Sequence, residues 1–343
     1  MIGLNPPLSK RTRSFLRLVS AVLPLLAACT RAPTAPPTPK PGEDALIPPA
    51  LTLTLSDGAH IPVRVWPARA SSGPEPRAVI LALHGFGDSR DAWEWIAPSL
   101  ARAGFAVYAP DQRGFGAAPD RGGWAGTRRM VQDAREEAAW LHARFPALRL
   151  YLAGESMGGA IALRVIETPG APPLAGTILL APAIWRFDSA TRATLALMDG
   201  LAPHWRFDAR NSPVHVVPTD NIAALRRLYF DPLTLHGAEL HSLRGLVDLM
   251  AAAFADAPHA RPPILAVYGD ADQLVPPAAT AAFWRALPTQ ARRDLIRGGH
   301  HLLFRDRDGA RVTRDVIAWI EHPDTFLPSG GDAAAAAWMA SRP

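Results

Sequence analysis

The sequence predicts an α/β protein with a mostly parallel central sheet flanked by helices and an inserted helical cap. Three observations carry this. Six apolar runs, Ala78–Leu83, Phe105–Ala109, Leu148–Ala153, Thr177–Ala181, Ile264–Tyr268 and Arg292–Ile296, are continuous rather than alternating. Such runs mark strands covered on both faces. Helical segments separate them, and strand-helix repetition builds a doubly wound sheet. About 80 residues between Ala181 and Ile264 break that rhythm with mainly helical character, which marks an inserted subdomain.

The elements follow in chain order. Residues 1–17 are basic and lack acids, and Leu18–Ala28 is apolar but too short to span a bilayer comfortably. Leu26-Ala27-Ala28-Cys29 resembles the lipobox of bacterial lipoproteins, whose cysteine carries diacylglycerol and becomes the new N-terminus. Cys29 is the only cysteine, so no disulfide forms within the chain. Lipidation accounts for an odd cysteine in an exported protein. Residues 1–28 therefore read as a lipoprotein signal peptide. Residues 29–49, rich in Pro, Thr and Ala, read as an extended tether. Leu51–Leu55 and Ile61–Trp66 alternate around Ser56-Asp57-Gly58, which predicts a β-hairpin.

Residues 50–181 and 259–322 form the two parts of the core. Their helices are expected at Asp91–Ala103, Thr127–Arg144, Met157–Glu167, Pro277–Leu287 and Ala310–His322. The cap, 182–258, carries helices at Ala190–Leu201, Asn221–Phe230 and Glu239–Phe254. Residues 323–343 read as a C-terminal tail, and no internal repeat is present.

Composition excludes several functions. Hydrophobic residues make up 48% of 343 and charged residues 20%, which suits a packed globular protein rather than a disordered or polytopic one. Lysine occurs only at Lys10 and Lys40, so the body holds neither a P-loop lysine nor a Schiff-base lysine. Of the net charge of +5, Lys10, Arg11, Arg13 and Arg17 supply four units, and the body is near neutral. No basic stripe suited to nucleic acid remains. No H-E-x-x-H or other metal-ligand spacing appears, and no metal, organic cofactor or obligate protein partner is expected.

The chemistry concentrates in a few loops. Gly154-Glu155-Ser156-Met157-Gly158 follows a strand and opens a helix, the setting of a nucleophile elbow. Glycines flank Ser156 because the turn is sharp, and the helix tip favours developing negative charge. A serine hydroxyl needs a base oriented by an acid. Gly269-Asp270-Ala271-Asp272 follows one late strand and Gly298-Gly299-His300-His301 another. Asp270 abuts its strand and suits a brace, whereas Asp272 projects further and is the favoured acid. His301 is favoured over His300 as the base. Two backbone N–H groups must receive the oxyanion. The candidates are the amide of Met157 and that of Phe86, in His84-Gly85-Phe86-Gly87-Asp88.

Residues 50–322 resemble the α/β-hydrolase fold, in particular the monoacylglycerol lipase or lysophospholipase-like group. The resemblance rests on His84-Gly85-Phe86-Gly87, Asp111-Gln112-Arg113-Gly114-Phe115-Gly116, Gly154–Gly159, Asp272 with Val275-Pro276, and His301-Leu302-Leu303. His300 stands where the family often has an aromatic residue. The resemblance implies that Asp111 and Arg113 brace loops near the site. It also implies a cap lining an apolar acyl channel, with Ile184, Trp185, Leu195, Leu197, Met198, Trp205, Leu246, Leu249, Met250 and Phe254 as available residues. The expected activity is hydrolysis of an acyl ester, with monoacylglycerol or a lysophospholipid as substrate and Cys29 anchoring the enzyme to a membrane. A proline iminopeptidase-like serine peptidase and an inactive lipid-binding lipoprotein are the alternatives. Thr30 after Cys29, in place of an aspartate that retains lipoproteins at the inner membrane, points to the outer membrane facing the periplasm.

Overall fold

The computed structural model describes residues 38–69, 75–167, 170, 172–208 and 216–342. Residues 1–37, with the expected signal peptide and the Leu26–Cys29 motif, lie outside them. The strands are β1 (Leu51–Thr54), β2 (His60–Trp66), β3 (Ala78–Leu83), β4 (Phe105–Pro110), β5 (Arg149–Glu155), β6 (Gly176–Leu180), β7 (Arg206–Asp208), β8 (Gly237–Glu239), β9 (Ile264–Gly269) and β10 (Arg292–Ile296). The α-helices are α1 (Ala97–Arg102), α2 (Thr127–Arg144), α3 (Met157–Glu167), α4 (Ser189–Leu201), α5 (Ile222–Phe230), α6 (Leu240–Asp256), α7 (Pro277–Ala286), α8 (Gly309–Glu321) and α9 (Gly331–Ala340).

Eight strands form one sheet in the order β1-β2-β4-β3-β5-β6-β9-β10. The β1-β2 hairpin and the β2-β4 pair are antiparallel, and every other pair is parallel. Every residue of β3, β4 and β9 is buried, which is why their sequences run apolar without alternation. On one face Val79, Leu81 and Leu83 pack with Met130 and Leu141 of α2 and Ile161 of α3. On the other, Ile80 and Val107 pack with Leu100 of α1 and Val316 of α8. The chain leaves β3 toward β4 on one side, while β5 lies on the other. Open α/β sheets bind ligands beyond the carboxyl ends of their strands at such a reversal.

Five features differ from the sequence reading. The helix expected over Asp91–Ala103 is a 3-10 turn, Arg90–Trp93, followed by α1. Pro98 lacks an N–H and suits only a first helical turn, so the helix restarts around it. The cap also contains an antiparallel ribbon, β7 with β8. Its long helix α6 belongs as much to the core: Leu246, Leu249 and Met250 are buried in the main core cluster rather than free to line a channel.

The folded body also starts before Ala50. Arg226 of α5 donates to Glu43 Oε1 at 2.7 Å and Oε2 at 2.6 Å, and to the Thr38 carbonyl at 2.8 Å. Arg227 donates to the Glu43 carbonyl at 3.1 Å, and Arg90 to that of Ile47 at 2.8 Å. Residues 38–47 thus form a strap on the cap rather than a free tether. The tail, too, is packed, because α9 lies along β10 and buries Trp338 against Tyr268 and Trp284.

The α9 junction carries a pH liability. Asp294 on β10 is fully buried, and its two carboxyl oxygens have no hydrogen-bond partner among the described residues. Burial, reinforced by the negative charges of Asp315 and Asp332, pushes its pKa up to about 8. An unfolded aspartate titrates near 4, so the folded chain binds the extra proton between those values. Stability therefore falls as pH rises from about 4 to about 8, by roughly 5 kcal/mol. Asp294→Asn should raise Tm, and by several degrees more at pH 8 than at pH 5. Equal gains at both values, read by differential scanning fluorimetry, would show that Asp294 does not titrate in this range.

Candidate active site

Ser156 sits between β5 and α3 with φ +52°, a strained value for a residue with a Cβ. The turn is locked by its backbone. Ser156 N–H donates to the Leu180 carbonyl at 2.9 Å, and its carbonyl accepts from Ala183 N–H at 2.9 Å and Ala160 N–H at 3.1 Å. The flanking glycines are required by contact distance. A Cβ on Gly154 would lie 2.3 Å from Gly158, and one on Gly158 would lie 2.3 Å from the Leu83 carbonyl oxygen. Helix α3 can therefore abut the end of β3, which brings the loop after β3 beside Ser156. A Cβ on Gly85 would meet the Ser156 Cβ at 3.4 Å.

That loop is rigidly built. Gln112 N–H donates to His84 Nε2 at 2.9 Å, so the proton is on Nδ1, which donates to the Gly85 carbonyl at 2.8 Å. Burial holds the His84 pKa below the usual histidine value, and a neutral ring suits this bridging role. Gln112 Nε2 also donates to the His84 carbonyl at 2.6 Å. Asp111 accepts from Arg90 N–H at 2.7 Å and from the Arg90 guanidinium, and Arg113 pairs with Asp133 at 2.9 Å. The Asp111–Arg113 stretch thus ties the β4 loop to the segment after β3. Phe86 packs against both the main core and a small cap cluster of Leu195, Ala238, Leu240, Leu243 and Val247. Met157 is the first residue of α3, where a backbone N–H has no intrahelical acceptor.

Asp272 and His301 meet. His301 Nδ1 donates to Asp272 Oδ2 at 2.8 Å, and Asp272 Oδ1 accepts from Leu274 N–H at 2.7 Å and Val275 N–H at 3.0 Å. Asp270 instead accepts from Gly298 N–H at 2.6 Å and braces one loop against the other. His301 is buried, 3% exposed. Burial disfavours its cation, but the adjacent Asp272 and then Glu155 outweigh this and raise its pKa above the usual histidine value. His300 turns to Asp306, whose Oδ2 lies 3.3 Å from its Nδ1 and accepts its N–H at 2.7 Å. Asp220, His300 and Asp306 bring ligand-type atoms within 4.8 Å of one another. The amides of His300, Asp220 and Arg307 already hold these carboxylates in a hydrogen-bonded turn, and no metal ligand is assigned to them.

Ser156, Asp272 and His301 follow the carboxyl ends of β5, β9 and β10, and the Phe86 loop follows β3. All lie on one edge of the sheet. The sequence reading missed three buried charges beside them, Asp88, Glu155 and Arg305. Asp88 and Arg305 are 217 residues apart, and no local pattern links them.

The doubly wound sheet, the cap and this edge define an α/β-hydrolase of the serine hydrolase class. Residues 74–308 match the family described as "Serine aminopeptidase, S33", and the chain belongs to that family. Similar proteins include the monoacylglycerol lipase of Mycolicibacterium smegmatis, 26% identical over 270 residues, 77% of this chain and 93% of the relative. The monoglyceride lipase of Rattus norvegicus is 24% identical over 280 residues, 79% of this chain and 89% of the relative. Among solved structures, a soluble variant of the Saccharomyces cerevisiae monoglyceride lipase bound to a substrate analog superposes with a TM-score of 0.71. It is 21% identical over 84% of this chain and 100% of that one. The Paleococcus ferrophilus monoacylglycerol lipase gives 0.64 at 22% identity, covering 76% of this chain and 98% of that one. At these identities the two structures show a shared fold.

Proposed function

We propose that this protein is a membrane-tethered serine esterase that releases fatty acid from monoacylglycerol or a lysophospholipid. The observation that carries the reading is the His301–Asp272 pair on the sheet edge that also holds Ser156 at its strained elbow. His301 Nε2 takes the Ser156 hydroxyl proton as Oγ attacks the ester carbonyl carbon. Asp272 holds the imidazole through Nδ1 and stabilises its cation. The amides of Met157 and Phe86 receive the oxyanion. His301 then protonates the leaving alcohol, and an acyl-enzyme remains. Water gives a proton to His301 and attacks the acyl carbon; His301 then returns that proton to Ser156 Oγ as the acyl C–O bond breaks and the acid leaves.

Substrate class is argued from the cap. Trp185 and Phe187 stack with ring centres 4.7 Å apart, and Phe187, Met198 and Phe207 join Phe86 around the cap cluster. This apolar wall adjoins the oxyanion loop and suits an acyl chain. An aminopeptidase needs a free carboxylate for the substrate amine. Four of the cap acids are engaged elsewhere: Asp188 with Thr191, Asp199 with Arg244, Asp231 with Arg227 and Asp256 with Arg164. Attachment rests on Cys29. Among the described residues no helix is long and apolar enough to cross a membrane, and diacylglycerol on Cys29 supplies the anchor. Thr30 supports the outer membrane, facing the periplasm.

The test compares wild type with Ser156→Ala. Expected are fluorophosphonate labelling and ester hydrolysis in wild type alone, with p-nitrophenyl esters from acetyl to palmitoyl reporting the acyl pocket. Monoacylglycerol or lysophospholipid should be hydrolysed faster than aminoacyl p-nitroanilides. The opposite ranking would replace the esterase reading with a peptidase, and an unlabelled folded wild type would leave a binding protein. Cys29→Ala should move the protein from membrane to soluble fraction.

A further inference from the structure

Beneath the proposed active site lies a buried charge cluster that the hydrolytic steps do not use. Arg305 is 3% exposed and ends the 3-10 turn Leu303–Arg305, just after His301. Its Nη2 donates to Asp88 Oδ2 and to Glu155 Oε2, the latter at 3.2 Å. Asp88 closes the loop that carries the Phe86 amide, and Glu155 immediately precedes Ser156. One guanidinium thus joins the oxyanion loop, the serine elbow and the histidine loop. Each buried ion costs several kcal/mol of desolvation, and packed apolar residues often hold segments together as well or better. A merely structural staple would not need three charges here.

We propose that Arg305 and Glu155 are positioning residues, a buried charge clamp that holds the three loops in one geometry and acts on the reaction through His301. The inference rests on the esterase reading above. The charges around His301 come from several elements: Asp272 from the β9 loop, Glu155 from the elbow and Arg305 from its own loop. Asp88 and Glu94 lie behind Arg305. Burial disfavours the His301 cation, Asp272 and Glu155 favour it, and Arg305 opposes it. Burial also raises the Glu155 carboxyl, which Arg305 draws back toward ionisation. One cation shared by two carboxylates leaves net negative charge beside the base.

Two substitutions separate charge from geometry. Glu155→Gln keeps the shape and removes the charge. Arg305→Lys keeps the charge but ends one atom short of the Nη2 that reaches both carboxylates. The readout is kcat and KM for a short p-nitrophenyl ester between about pH 5 and 9, with the full chain in detergent and its fold checked by circular dichroism. Loss of the Glu155 charge lowers the His301 pKa, so the acid limb of kcat/KM should move down by about 0.5–1 pH unit. Arg305→Lys should lower kcat at least ~10-fold with KM changed less than ~3-fold, because misplacement of reacting groups acts on the chemical step. Its acid limb should stay within ~0.3 pH unit of the wild type. A folded Arg305→Lys enzyme with wild-type kcat, or an unmoved limb in Glu155→Gln, would overturn the clamp. If Arg305→Lys does not fold, the Glu155→Gln limb alone decides. A wild type without turnover or fluorophosphonate labelling would instead remove the esterase reading itself.

Discussion

His301→Gln should lower kcat/KM for an ester by ~10⁴-fold or more, with Tm within a few degrees of wild type. The loss is large because, in the proposed mechanism, proton removal from Ser156 and donation to the leaving alcohol pass through one imidazole. That imidazole is oriented by Asp272, which Leu274 and Val275 amides hold in turn. The residual rate would come from the oxyanion donors and substrate binding. The neighbouring substitution is the control. His300→Gln should change kcat/KM by less than ~3-fold, because its ring serves Asp306 and a surface turn. Steady-state kinetics on the two variants assigns the base. A dead His300→Gln enzyme beside an active His301→Gln enzyme would reverse the assignment.

Trp338→Ala should lower Tm by roughly 10 °C, since truncating a buried tryptophan costs about 3–5 kcal/mol and a domain of this size loses about 2–4 °C per kcal/mol. Trp338 lies 5.4 Å from Trp284 and 5.8 Å from Tyr268, centre to centre. Tyr268 in turn donates to the Val275 carbonyl at 3.0 Å, in the loop that holds Asp272. The variant should therefore lose activity on heating before it loses secondary structure. Paired thermal scans, one by residual esterase activity and one by circular dichroism, check this. Coincident transitions with an unchanged Tm would mean that α9 contributes little.

Much of this was legible because burial writes itself into composition. β3, β4 and β9 are covered on both faces and so carry unbroken apolar runs. The elbow was legible because contact distances forbid side chains at Gly154 and Gly158. Helix α9 was not, although alanine favours helix strongly. Its Ala333–Ala337 run has no polar face to reveal which side docks, and the anchor is the single Trp338. The β7-β8 ribbon has strands of three residues, too short for alternation to register. The Arg305 cluster and the Glu43–Arg226 pair unite residues more than 140 positions apart. Such pairings follow from the folded geometry, and no window along the chain contains both partners.

With the proposed anchor at Cys29, the strap over residues 38–47 would set a mechanical limit on the enzyme. An anchored Cys29 would stand nine residues before Thr38, which meets Arg226, and nine residues can span at most about 30 Å. A free tether running to Ala50 would reach more than twice as far. Tension on the leash would also enter through Arg226 and Arg227 on α5, so that the cap, rather than the β1 edge of the sheet, would bear the first load.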